Sequence, residues 1–213
     1  MKSGLFDLPA PLVLASTSRY RKAQLERLGI PFTCTKPPYD ERPVAGLDPR
    51  ALVDHHAVEK ARSVATQAGF AGHLILAADQ GVVVDDELLG KPGSVAAAVA
   101  QLLRLGGRDH ELRTAVVLAL PAGFGGCHEF RLLQRVVSVR MRLRPLTRAE
   151  AEAYVEQDQP LDCAGSYRIE AAGPWLLEHA RGDDPTAIEG LPLIAVADLL
   201  REAHRTCGAP LLQ

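Results

Sequence analysis

No apolar run in this sequence approaches the roughly 20 residues needed to cross a bilayer, and no G-x-x-x-x-G-K-[ST] phosphate loop of the Walker type occurs in it. The four cysteines, Cys34, Cys127, Cys163 and Cys207, form no C-x-x-C pair and show no cysteine–histidine spacing of a zinc site. They read as reduced, mostly structural thiols. An excess of one charge is also missing: 24 Lys and Arg against 26 Asp and Glu leave a formal charge of -2. No basic stripe of the kind that tracks a nucleic-acid backbone stands out, so nucleic acid is not an expected partner and any anion must be held by a few placed cations. Internal repeats and low-complexity linkers are absent. The opening "MKSGLFDLPAPLVLAS" is broken by Asp7 and two prolines, too interrupted for a secretory signal. The expectation is a cytoplasmic protein with no membrane contact.

What is present suits a large core, since 47% of the 213 residues are hydrophobic and 23% charged. One domain over residues 1–213 is expected, with two lobes around a central cleft. "PLVLA" reads as a buried strand, and "RYRKAQLERLG" as a helix turning Ala23, Leu25 and Leu28 inward and stopping at Gly29. "IPFTCTK" resumes as a strand. A helix then starts at the Asp48 cap with Pro49 in its first turn and carries Val53, Ala57, Ala61 and Val64 at helical spacing. "HLILAAD" and "GVVVDD" read as two strands parted at Asp79-Gln80, and "SVAAAVAQLLRLG" as a helix. "ELRTAVVLAL" and "FRLLQRVVSVRMRLRPL" read as a hairpin about "PAGFGG" with one wet face. Thr147 and Glu150 open a helix with a capping box, and "LPLIAVADLLREAH" closes the chain as an amphipathic helix. Crossover units beside hairpins imply an α/β fold, a curved mixed β-sheet flanked by helices.

Three loops carry unusual chemistry. "ASTSRYRK" sets Ser16, Thr17 and Ser18 at a helix N-terminus, where hydroxyls, backbone N–H groups and the helix dipole favour an anion. Arg19, Arg21 and Lys22 in the first helical turn oppose that dipole unless an anion lies nearby; the plainer alternative is a capping serine with solvated basic residues. Asp79 follows the apolar stretch Leu74 to Ala78 and therefore sits at the end of a buried strand, where an ionised carboxylate needs a cation, a metal or hydrogen bonds. It is a candidate magnesium ligand or water-activating base, against an acid that merely opens a turn. Lys60 lies beside the apolar face of its helix, and Lys91 in a turn set by Gly90 and Pro92. Either lysine alone reads as solvated; together they form a candidate phosphate clamp.

Taken in order, "LVLASTSRYRKAQLERLGIPF", Asp40-Glu41, "EKA" at 59–61, "AADQGVVVDDELLGKP", "CAGSYRIEAAG" and "GDDPTAIEGLPL" resemble the Maf family of nucleotide pyrophosphatases. Asp79-Gln80, the aromatic Tyr20 and "CAGSYRIE" are similar to the subgroup that hydrolyses 7-methyl-GTP. The resemblance implies a fold related to inosine triphosphate pyrophosphatases, a nucleoside triphosphate substrate, a divalent cation (Mg, Mn or Co), cleavage between the α and β phosphates, and a homodimer. It places Ser16, Arg21, Glu41, Lys60, Asp79, Lys91 and Glu170 on functional positions. Arg19 departs from the family's usual proline and Tyr20 from the subgroup's common tryptophan. Arg21, Lys60, Lys91 and the metal would offset phosphate charge, Glu41 and Asp79 would hold the metal, and Ser16, Ser18, Tyr20 and Glu170 would contact substrate. Guanine presents N1–H and its 2-amino group side by side, which a Glu170 carboxylate accepts. Cationic 7-methylguanine also suits an aromatic face from Tyr20, Tyr167 or Trp175. Glu170 serving metal or water instead stays open, as do a dTTP/UTP or broader modified-nucleotide pyrophosphatase and a non-enzymatic regulator of septum formation.

Overall fold

The computed structural model describes residues 7–207; the first six residues of the amino-terminal segment lie outside it. In chain order the elements are β1 (Leu12–Ala15), α1 (Arg19–Glu26), β2 (Phe32–Thr35), α2 (Pro49–Ala65), β3 (Leu74–Val84), β4 (Glu87–Leu89), α3 (Val95–Leu105), β5 (Asp109–Leu120), β6 (Arg131–Leu143), α4 (Arg148–Asp158), β7 (Leu177–Arg181) and α5 (Leu193–Cys207), with short 3-10 turns between them. The strands form one seven-stranded mixed sheet in the order β2-β1-β3-β5-β6-β7, and β4 pairs with β3 off that path. β1 runs parallel to β2 and β3, and the remaining pairs are antiparallel.

Side-chain alternation assigns each helix its face. Leu74, Leu76 and Ala78 of β3 pack with Leu25 of α1 and Val196, Leu199 and Ala203 of α5. Further along the same face, Val82 and Val84 pack with Leu102 and Leu105 of α3 and with Ala151, Tyr154 and Val155 of α4. Ile75 and Ala77 point the other way, against Val53, Ala57, Ala61 and Val64 of α2. Asp48 accepts from the Arg50 and Ala51 N–H groups, and Thr147 and Glu150 form the expected capping box.

Three expectations are corrected, and two strands are added. β3 does not break at Asp79-Gln80: it pairs without interruption with β5, Asp79 opposite Ala115 and Gln80 opposite Thr114. Backbone pairing carries the strand through because both polar side chains find partners, Lys60 for Asp79 and Thr114 for Gln80. On α1 it is Gln24, not Ala23, that joins Leu25 inside, since the helix is set by polar ties from Gln24 to the Thr186 and Leu191 carbonyls. The short strands β4 and β7 carry no alternation long enough to be read. The cysteines are unpaired as expected, but none is fully buried, so they do not pack the core.

His110 on β5 is buried, its Nε2 3.1 Å from the Tyr167 hydroxyl. Burial pushes its pKa down from 6.5 to about 4. Because the folded-state value lies below the unfolded one, the unfolded chain gains a proton that the folded chain refuses, and stability falls as pH drops through that window. Denaturant unfolding at about pH 5 is expected to show about 2 kcal/mol less stability from this residue than at neutral pH. His110→Gln, which has no proton to gain, should lose correspondingly less on acidification. An equal loss in both proteins would remove His110 as the cause.

Candidate active site

The sheet leaves a gap where the chemistry gathers. β1 pairs with β3 as far as Leu14 opposite Leu76, and β4 takes up the same edge of β3 only at Val82. Between them residues 77–81 have no strand on that side. α1 packs on one face and α2 on the other, so β1 lies where successive connections part to opposite faces, the position at which open α/β sheets bind ligands beyond their strand ends. A cavity of about 920 Å³ fills the gap, lined by the β1–α1 loop, the segment around Glu41, the α2 face at His56 and Lys60, the Gly90-Lys91 turn, residues 162–170 and residues 188–190. That size accommodates a nucleotide. A Cβ at Gly81 in its wall would press on the end of the Leu88 side chain, which would have to move aside.

Two carboxylates converge on one ammonium at the cavity's inner wall. Lys60 Nζ donates to Asp79 Oδ1 at 2.5 Å and lies 2.6 Å from Glu41 Oε1. Lys60 and Asp79 are buried, whereas the Glu41 side chain is 53% exposed. Burial alone would raise the Glu41 carboxyl, but the hydrogen bond and charge of Lys60 outweigh it and hold Glu41 below the usual carboxylate range. Lys91 lines the same cavity, and its charge acts on Glu41 in the same direction.

The three cations of α1 diverge instead of meeting one anion. Arg21 reaches the gap: its Nη1 donates to the Ala78 carbonyl at 2.8 Å, an acceptor on the unpaired edge of β3, and its Nε to the Gly190 carbonyl at 3.1 Å. Lys22 lies 3.9 Å from Glu26, and Arg19 turns to Tyr20. Ser18 Oγ caps α1 by accepting from the Arg21 N–H, and Ser16 Oγ accepts from the Ser18 N–H at 3.1 Å. Both hydroxyls thus shape the loop itself, while Ser16, Ser18 and Arg21 all face the cavity.

Farther along the cleft stand Tyr20, Arg168, Cys163 and Glu170. Glu170 is exposed; burial, then the charge and hydrogen bond of Asp162, push the Cys163 thiol up to about 12, and the charge of Glu170 adds to them. Tyr167 also lines the cleft, but Trp175 is 80% exposed and not part of its wall, which corrects its expected place beside the base.

A family model described as "Maf: Maf-like protein" matches residues 11–203. The chain belongs to the Maf-like protein family. A 7-methyl-GTP pyrophosphatase of Aromatoleum aromaticum is 44% identical over 191 residues, covering 89% of this chain and 94% of that protein. Proteins of the same name from Xanthomonas oryzae pv. oryzae and Bordetella avium are 43% and 44% identical over 90% and 89% of this chain, and 96% and 91% of their own length. A solved nucleoside-triphosphatase, dITP/XTP pyrophosphatase, from Mycobacterium abscessus aligns at 18% identity with a TM-score of 0.44 over 92% of this chain and 97% of that one, too weak a likeness to carry weight.

In this Maf-like cleft, oxygen donors suit a hard divalent cation. Glu41 and Asp79 supply two carboxylates aimed at one point, and no group of three His, Cys, Asp or Glu occurs among the described residues. Two carboxylates completed by substrate phosphate oxygens and water is how magnesium is commonly held, so the donor set fits. Lys60 stands at the focus, and a cation there would share the carboxylates with it. Residues outside the candidate catalytic set also shape the site. Gln80 Nε2 donates to the Ala187 carbonyl at 2.7 Å, tying the loop at 182–193 to the sheet. Asp184 accepts from the Ile194 and Ala195 N–H groups and so anchors that loop to α5. Buried His56 holds the Tyr39 hydroxyl at 2.8 Å and thereby seats the segment carrying Glu41 on α2. The adjacency of Tyr39 to Asp40-Glu41 was the only available signal, and the histidine gave none.

Proposed function

We propose that this chain is a nucleoside triphosphate pyrophosphatase that hydrolyses 7-methyl-GTP between the α and β phosphates to 7-methyl-GMP and diphosphate. It would work as a metal-dependent cytoplasmic homodimer, removing modified nucleotides before they are incorporated. The observation that carries this reading is the convergence of Glu41 and Asp79 on Lys60 at the wall of a nucleotide-sized cleft, in a chain whose relatives bear that activity as their name.

Hydrolysis adds the oxygen of water to phosphorus, breaks the bond to the bridging oxygen and releases a proton. Asp79, fixed by Lys60, is suited to orient that water and accept its proton. Lys60, Lys91 and Arg21 offset the charge of the departing diphosphate. A divalent cation, magnesium, manganese or cobalt, held by Glu41 and Asp79 would supply further charge neutralisation. Glu170, farther along the cleft, is suited to the two donors of the guanine edge.

Pyrophosphate release from 7-methyl-GTP, GTP, dTTP and UTP, with each metal and after chelation, tests this reading. The expected result is the highest kcat/KM for 7-methyl-GTP and a loss of about a hundredfold or more on chelation. A preference for dTTP or UTP overturns the base assignment. Glu170→Gln is expected to lower 7-methyl-GTP turnover about tenfold or more while moving dTTP turnover far less; equal losses would reassign Glu170 to the metal or the water.

A further inference from the structure

The ring of Tyr20 already carries a cation. The Arg19 guanidinium carbon lies 4.8 Å from the ring centroid, over its face, and Arg19 Nη2 donates to the Tyr20 hydroxyl at 2.7 Å. Arg168 Nη1 donates to the same hydroxyl at 3.3 Å. Two guanidiniums thus share one phenol at the cleft wall, close enough for the charge of Arg168 to act against that of Arg19. They differ in how firmly they are held. Arg168 is anchored by the Asp158 carbonyl and is only 20% exposed. Arg19 is 72% exposed and lies 3.9 Å from Asp162, its carboxylate neighbour at the rim.

A cationic purine and a guanidinium compete for the same π face, since each is attracted by the ring's negative face and each repels the other. A neutral purine meets only the steric part of that competition. We infer that Arg19 is a specificity-determining residue, whose charge over Tyr20 narrows the advantage of cationic 7-methylguanine over neutral guanine nucleotides. The inference rests on the reading above, in which the base lies at the Glu170 end of the cleft, where Tyr20 also lines the wall. In effect, Arg19 brings guanine nucleotides closer together as substrates, whether or not they are methylated at N7.

The test is the ratio of kcat/KM for 7-methyl-GTP to that for GTP in wild type, Arg19→Gln and Arg19→Lys, at low and high ionic strength. Arg19→Gln keeps a hydrogen-bonding side chain at the same place without its charge and is expected to raise the ratio about three- to tenfold. Arg19→Lys, which keeps the charge, should stay near the wild-type ratio. The gain in Arg19→Gln should shrink with added salt, because the residue is exposed. An unchanged ratio in Arg19→Gln, with 7-methyl-GTP still turned over, overturns the assignment and leaves the function standing. Parallel losses on both nucleotides also overturn it and make Arg19 a phosphate contact. A wild type that releases pyrophosphate from dTTP but not from 7-methyl-GTP removes the base reading, and the inference with it.

Discussion

Asp79→Asn is expected to cut pyrophosphate release by about a thousandfold while the protein stays folded. The asparagine matches the aspartate in volume, and its carbonyl oxygen still accepts from Lys60, now 2.5 Å from Asp79 Oδ1. The middle of β3 therefore keeps its backbone pairing with β5 and a partner for the lysine. What the substitution removes is the negative charge and the ability to take a proton. General-base assistance contributes roughly 10²–10⁴-fold, and weaker hold on the proposed divalent cation would add to the loss. Single-turnover pyrophosphate release, measured with thermal unfolding on the same preparation, checks both halves. Residual activity within about tenfold of wild type would sink the catalytic role of Asp79. The same variant separates enzyme from regulator: if the chain acts on septum formation without catalysis, that effect should survive Asp79→Asn.

Lys60→Met should give the largest loss of stability. The lysine is buried and bonded to a buried carboxylate, so its removal leaves Asp79 with only the more distant charge of Arg21. Breaking one side of a buried pair costs about 3–5 kcal/mol, most of it the penalty for the group left behind. For a chain of this size each kcal/mol moves the melting temperature by roughly 2–4 °C, so a fall of about 10 °C is expected. Lys60→Met combined with Asp79→Leu removes both charges and should recover most of that fall. If the double variant is no more stable than the single one, the stranded carboxylate is not the source of the loss. Pyrophosphate release should be lost in both, because neither restores the ammonium between Glu41 and Asp79.

Most elements were legible where a local signal sufficed. The buried run at Leu12–Ala15, the Asp48-Pro49 start of α2 and the Thr147–Glu150 capping box each declare themselves within a few residues. The reading failed where a distant partner decides. Asp79-Gln80 looks like a break in a strand until Lys60 and Thr114, from elsewhere in the chain, satisfy the two side chains. Helix α1 was turned by one position because Gln24 is held by carbonyls more than 160 residues away. The pairing of Glu41 with Lys60 crosses from a loop to a helix, and no periodicity reports it; only the family resemblance pointed to both residues. His56 was missed for the same reason, since nothing beside it in the sequence announces Tyr39.

The interrupted edge of β3 divides the labour of the cleft between rigid and pliable parts. Asp79 and Lys60 ride on a central strand and a packed helix, whereas Arg19, Arg168 and Glu170 ride at a helix tip and on a connecting segment. On the proposed function, substitutions in the second group would change what is selected without disturbing the sheet that supports the first. Such an arrangement lets descendants explore new nucleobases while inheriting an unaltered hydrolytic apparatus.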